Sequence, residues 1–300
     1  MAYAAPALSV LAPRNADGLN LLLIVGACAA AHVFPFHLLI FSYAVLGPAH
    51  YLTEISWLHD RGYFTTRRWV PILFAALTIL LIAGPSFPDS AAIWFAAILT
   101  AAVASQTDNS WAILGGLLGG AVSGDFAARH FGGLAVLIVS LVPTVIHVYV
   151  FTALFMLVGA RRSGSPVAAA SLLALLVGGA TFLVSGWTRP DDAAPDFLQS
   201  LALYLQQLMP GETSMPQIFG FLSFAYTYHY LNWFSKAEVI QWHRVPRRRL
   251  IVIGVLYGGA LAAYAFSFAL GFKIMLALSV GHVLLELPLN IRSLRSLLAN

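Results

Sequence analysis

Long apolar runs, interrupted by short charged clusters, set the pattern of this chain. Apolar segments fall at roughly 19–34, 36–58, 69–84, 90–105, 110–123, 132–160, 166–187, 216–235, 248–271 and 273–291. Runs such as Leu134–Val142 and Leu172–Val177 do not alternate polar with apolar residues, as the strands of a transmembrane barrel would. A backbone in hydrocarbon must satisfy its own hydrogen bonds, so the segments are expected to be helices. The expected fold is all-α, a polytopic transmembrane helical bundle of about eight to ten spans, with residues 1–300 forming a single transmembrane domain. Only Pro35 divides the first two segments, so residues 19–58 read either as two spans or as one kinked helix with an interfacial piece. Trp111–Gly124 carries five glycines, which gives it the weakest helical signal of the set.

Composition agrees with the pattern. The chain is 60% hydrophobic and 9% charged, against roughly 25% charged in soluble domains. Its pI of about 9.3 and net charge of +4 reflect topology and do not point to nucleic acid. If the loop holding Arg61, Arg67 and Arg68 is cytoplasmic, strict alternation also places Arg161, Arg162, the stretch Lys236–Arg249, Arg292 and Arg295 inside. Together these are 12 of the 16 Lys and Arg (3 + 2 + 5 + 2). The other side receives Asp89, Asp125, Asp191, Asp192, Asp196 and Glu212, half of the 12 acids. This is the positive-inside distribution. It implies an integral protein of the cell (inner) membrane, surrounded by lipid bilayer, with a cytoplasmic C-terminus. The apolar run after residue 18 continues into the next segment, so no removable signal is expected. The outward connection 188–215 contains the apolar piece Phe197–Leu208 and reads as a surface helix, either a cap over the bundle or a lid. The single cysteine, Cys28, allows no intrachain disulfide or CxxC motif and reads as a small packing residue.

Nine histidines are present. His32, His37, His59, His130 and His243 fall near segment ends or in loops and read as interfacial. His50, His147, His229 and His282 lie inside four different apolar segments, where an ionisable group is costly and points to function. His50 lies 11 residues before Arg61, His147 14 before Arg161, His229 seven before Lys236 and His282 ten before Arg292. At 1.5 Å per residue all four sit about 10–21 Å from the basic edge. Four imidazoles at one depth on four helices are expected to share one metal ion; the alternative is that each makes one interhelical hydrogen bond.

His50 and His282 each have a glutamate four residues on, Glu54 and Glu286, one turn along the same face. Such carboxylates read as outer partners fixing a histidine tautomer, as ligands to a second metal, or as groups reaching an interface. Around His229 stand Tyr226, Tyr228, Tyr230 and Trp233. These aromatics read as an interfacial belt or as a slot for a long conjugated or lipid chain. No GxSxG, P-loop or dinucleotide fingerprint appears, and the HxxxH and HxxHH boxes of membrane desaturases are absent.

Gly47-Pro-Ala-His50, Val142-Pro-Thr-Val-Ile-His147, Tyr226-Thr-Tyr-His229 and Ser279-Val-Gly-His282 together resemble the bacterial Brp/Blh family of membrane β-carotene 15,15′-dioxygenases. The resemblance implies a non-haem iron, Fe2+, held by histidines, with O2 as co-substrate and cleavage of a carotenoid at its central double bond. The chain has Trp233 where the family pattern has a second histidine after His229, and Gly281 where it has proline. The functional expectation is therefore a membrane-embedded iron oxygenase acting on a lipophilic small molecule. A haem-binding redox protein and a proton- or metal-coupled transporter are the alternatives.

Topology is open to direct measurement. Fusion reporters placed after Arg68, Arg162, Arg249 and the C-terminus should report cytoplasm, and one near Asp192 the far side. A cytoplasmic 188–215 connection would overturn the orientation.

Overall fold

The computed structural model describes residues 14–84, 86–184, 186–188, 214–236, 241 and 244–298. Among them run ten helices: α1 (Arg14–Val33), α2 (Pro35–Asp60), α3 (Trp69–Ile82), α4 (Phe87–Ala104), α5 (Ser110–His130), α6 (132–163), α7 (Pro166–Thr181), α8 (Met215–Ser235), α9 (Arg247–Phe266) and α10 (Phe268–Leu298). Each coincides with one apolar segment of the sequence, and the described residues contain no strand. Five helices, α2, α5, α6, α9 and α10, are long and apolar enough to cross a membrane, and α1, α3, α4 and α7 are shorter apolar helices. Residues 19–58 form two helices, α1 and α2, that meet at Phe34. The 188–215 connection, its Phe197–Leu208 piece included, lies almost entirely outside the described residues, as does His243.

The bundle turns its polar side chains inward. Leu22, Ile72, Leu118 and Val255 are at least two-thirds exposed, whereas His50, Glu54, His147, His282, Glu286 and Asn290 are almost completely buried. An apolar exterior around a polar interior suits a lipid solvent, in which outward apolar side chains carry no penalty.

Contacts between connections fix the direction of each helix. Thr66 donates its hydroxyl to the carbonyl of Thr107 (3.1 Å) and Arg67 its Nε–H to that of Asp108 (2.5 Å), so the loops after α2 and α4 share one end. Arg249 reaches Asp60 (2.5 Å), which brings the start of α9 to that end; Ser165 reaches Asp17 (2.6 Å), pairing the starts of α7 and α1, and the contacts of Met215–Ser235 with Asn20, Thr53 and Phe182 set that pair at the same end. At the opposite end His32 bonds Thr181 (2.7 Å) and Thr188 (3.1 Å) and stacks on Phe182, clasping α1 to α7. The helices therefore run up and down in turn, and Arg61, Arg67, Arg161 and Arg249 gather at one end. The histidines near helix ends behave as surface groups. His37 is exposed, His59 lies beside Asp60 (3.5 Å), and His130 in the last turn of α5 meets the Phe126 carbonyl. Cys28 packs on α7 beside Gly178 and Thr181.

The glycine-rich segment is a full helix, contrary to its weak local signal. Gly116, Gly120 and Gly124 line the face of α5 that packs on α4, and they are buried. A Cβ at Gly120 would stand 2.6 Å from Cα of Ala96, and one at Gly124 2.7 Å from Cα of Ala92. Tertiary packing of small residues, which lets two backbones approach, overrides the propensity of the single helix.

Two helices depart from α geometry. Ser42–Leu46 within α2 and Val142–Phe151 within α6 are π-helical. Each stretch adjoins or contains a proline, Pro48 or Pro143, which offers no N–H to the carbonyl four residues earlier. A π turn takes an extra residue and rotates the side chains beyond it, a device common at functional sites. The side chains it re-aims here include those of His50 and His147. At the centre of the bundle α2, α6, α8 and α10 meet, with α8 enclosed over most of its length.

The α4–α5 interface yields a stability prediction. Gly120→Ala should destabilise the detergent-solubilised protein by about 1–3 kcal/mol through overpacking. Gly115→Ala, at a position with nothing within 4 Å, should be neutral or stabilising by up to about 1 kcal/mol. Thermal unfolding of the two variants checks the contrast.

Candidate metal centre

Four helices each bring one imidazole to the same point. His50 (α2), His147 (α6), His229 (α8) and His282 (α10) each place a ring nitrogen within 4.8 Å of the others. Nε2 of His50 stands 3.1 Å from Nε2 of His229, and Nε2 of His147 stands 2.9 Å from Nε2 of His282. His50, His147 and His282 are about 1% exposed, while His229 is partly buried. This is the convergence expected from their common depth, and the four histidines could hold one metal ion.

The outer nitrogens explain how the inner ones are kept free. Thr152 follows the π-helical stretch of α6 and donates its hydroxyl proton to the Val148 carbonyl (2.9 Å). Its oxygen, 2.8 Å from Nδ1 of His229, must therefore accept from the ring, and Nε2 of His229 is left with a lone pair facing inward. Nδ1 of His282 faces the Leu278 carbonyl (3.3 Å), which only accepts, and so Nε2 of His282 is also unprotonated in the neutral ring. Each of these lone pairs faces a second ring nitrogen at hydrogen-bonding distance, Nε2 of His50 for His229 and Nε2 of His147 for His282, and a cation that displaced the shared protons would meet four lone pairs. The donor set thus fits a metal cation.

The two glutamates, alike in the sequence, occupy different places. Glu286 does not serve His282 on its own helix. Its Oε2 lies 3.1 Å from Nδ1 of His147, the outer nitrogen, and takes a bond from Asn290 Nδ2 (3.2 Å). Nδ1 of His147 makes no aligned hydrogen bond in this conformation, as is common for site groups before a ligand is bound. Glu54 lies beside its own-helix partner His50, but its Oε2 is 2.9 Å from the inner nitrogen, Nε2. Both carboxyl groups are buried and interact with each other. The interfacial reading of the pair fails, because neither reaches the bundle surface.

The aromatic segment divides. Tyr226, Tyr230 and Trp233 form one stripe on the histidine side of α8. The Tyr230 ring lies 4.9 Å and the Trp233 ring 5.5 Å from His50. Tyr228 points the other way, with its hydroxyl on Asn20 (3.0 Å), because a two-residue step turns a helix by roughly 200°. Tyr226, Tyr228 and Tyr230 are buried, which corrects the interfacial-belt reading. The stripe is also filled, with Tyr226 resting on Tyr43 and the Tyr230 hydroxyl bonded to that of Tyr51. Tyr51 in turn stacks on His282 (4.4 Å). Trp233 donates its indole N–H to Thr53 (3.0 Å) and stands edge-on to His50, so it walls the centre. A groove of about 490 Å³ between α6 and α7, lined by Leu157, Arg161 and Leu172, touches none of these residues.

Sequence reasoning missed Thr152, Tyr51 and Asn290. Thr152 meets His229 across 77 positions, and no spacing on its own helix announces that contact. Asn290 had a local signal, since it continues the four-residue ladder of His282 and Glu286. Compared with known proteins, the chain matches no family model and is not detectably similar to any curated protein or solved structure.

The threonine contact is testable. Thr152→Val keeps the shape but removes the acceptor, and should weaken metal binding by roughly 10–100-fold. Thr152→Ser should retain affinity near that of the unmodified protein. Competition titration against a chelator measures both.

Proposed function

We propose that this protein is a membrane-embedded, non-haem iron oxygenase acting on a lipophilic substrate, with a carotenoid-like polyene as the substrate class. The observation that carries the reading is the meeting of four inward-facing imidazole nitrogens from four separate helices in the bundle interior. Imidazole ligation with positions left open suits non-haem iron. Iron(II) bound there would supply the redox chemistry that O2 requires.

The chain's own residues supply the rest. Thr152 and the Leu278 carbonyl hold two rings in the tautomer that presents Nε2. The surrounding helices keep water from the centre, which protects reactive species from side reactions. Tyr226, Tyr230 and Trp233 offer an apolar aromatic surface next to His50, and a polyene would lie there by displacing rings that now pack on Tyr43 and Tyr51. The Brp/Blh-like windows around His50, His147, His229 and His282 support a polyene over other lipids. We place the basic end of the bundle, with the C-terminus, at the cytoplasmic face of the inner membrane.

A haem reading fits less well. The imidazole rings stand 4.7 to 5.4 Å apart, centre to centre, and a porphyrin between any two would have to part them. Transport lacks a specific observation in its favour.

Elemental analysis of detergent-purified protein should find about one iron per chain and no Soret band, as a one-ion site without haem requires. Alanine at His147 or His282 should remove most of the metal while the protein still inserts, since insertion follows hydropathy and basic loops. Incubation with β-carotene and O2 should yield aldehyde products by chromatography, and these should be lost in the same variants. Unchanged metal content in both alanine variants would overturn the reading.

A further inference from the structure

We infer that Glu54 is a fifth ligand to the ion, and that Glu286 acts only from outside through His147. The inference deepens the metal reading above and rests on it. Three observations carry it.

The first is the side of the ring that each carboxylate faces. Glu286 lies against the outer nitrogen of His147, whereas Glu54 lies against the inner nitrogen of His50. The second is that Oε2 of Glu54 has no hydrogen-bond donor although it is buried and only 2.9 Å from Nε2 of His50. The oxygen therefore sits off the line of the ring nitrogen's bond and beside it, one side-chain turn from an ion held by that nitrogen. The third is charge. Among the described residues no lysine or arginine pairs with Glu54 or Glu286, and the two buried carboxyl groups, hydrogen-bonded to each other, share a proton that a cation could replace. A divalent ion with four neutral imidazoles and two carboxylates is neutral overall.

The consequence is a His4Glu ion with one position of a six-coordinate shell left over for a small co-substrate. The roles cannot be exchanged between the two His-x-x-x-Glu pairs, despite their identical spacing.

Cobalt(II) is the probe, added to purified metal-free protein and followed by its visible absorption. The unmodified protein should show the weak bands of a five- or six-coordinate ion. Glu54→Gln should shift those bands and lower affinity by more than the roughly 100-fold ceiling of an outer partner. Glu286→Gln should leave the band positions in place and lower affinity about 10–100-fold. Bands unmoved in Glu54→Gln, with an affinity loss like that of Glu286→Gln, would overturn the inference. If Glu54→Gln cannot be recovered, the unmodified protein decides, because the intense bands of a four-coordinate ion there would also overturn it. Failure of the metal reading itself looks different: the unmodified protein would take up no cobalt, or His147→Ala would take up as much.

Discussion

Burial of two carboxylates and four imidazoles inside an apolar bundle is the constraint on which this structure depends. Charge in a low-dielectric interior is expensive unless it is neutralised and hydrogen-bonded. Glu54, Glu286, His50, His147 and His282 are nonetheless among the most enclosed side chains of the protein. Much of the surrounding architecture serves to satisfy them. Thr152, Asn290 and the Leu278 carbonyl provide outer partners, and the close packing of α2, α6, α8 and α10 keeps the groups in register.

The π-helical stretches belong to the same account. An α-helix offers one side-chain direction every 100°, and four helices crossing at arbitrary angles would not all aim an imidazole at one point. Extra residues in α2 and α6 rotate His50 and His147 into place, and the neighbouring prolines remove N–H groups that would otherwise favour the regular α ladder. The helices that contribute no ligand serve as scaffold. The α4–α5 pair is locked backbone to backbone through Gly116, Gly120 and Gly124, and α9 shows lipid an almost wholly apolar surface.

The aromatic residues link the centre to a substrate reading. Tyr51, Tyr230 and Trp233 touch the histidines directly and bond to one another or to Thr53. They form an aromatic wall around the centre.

The sequence by itself determined the helical class, the ten segments, the up-and-down order and the four histidines. Hydropathy and the rise per residue are local quantities, and depth along a helix can be counted from the nearest basic residue. The tertiary structure decided everything that depends on rotation about a helix axis. It separated Tyr228 from Tyr226 and Tyr230, and it gave Glu286 to His147 in place of His282. It also set Glu54 on the inner nitrogen of His50 and brought Thr152 to His229. Residue spacing gives the face of one helix but not which neighbour that face meets, and the π turns shift even the face. The glycines of α5 show the same limit from the other side, since they weaken a helix alone and strengthen it only when α4 lies against them.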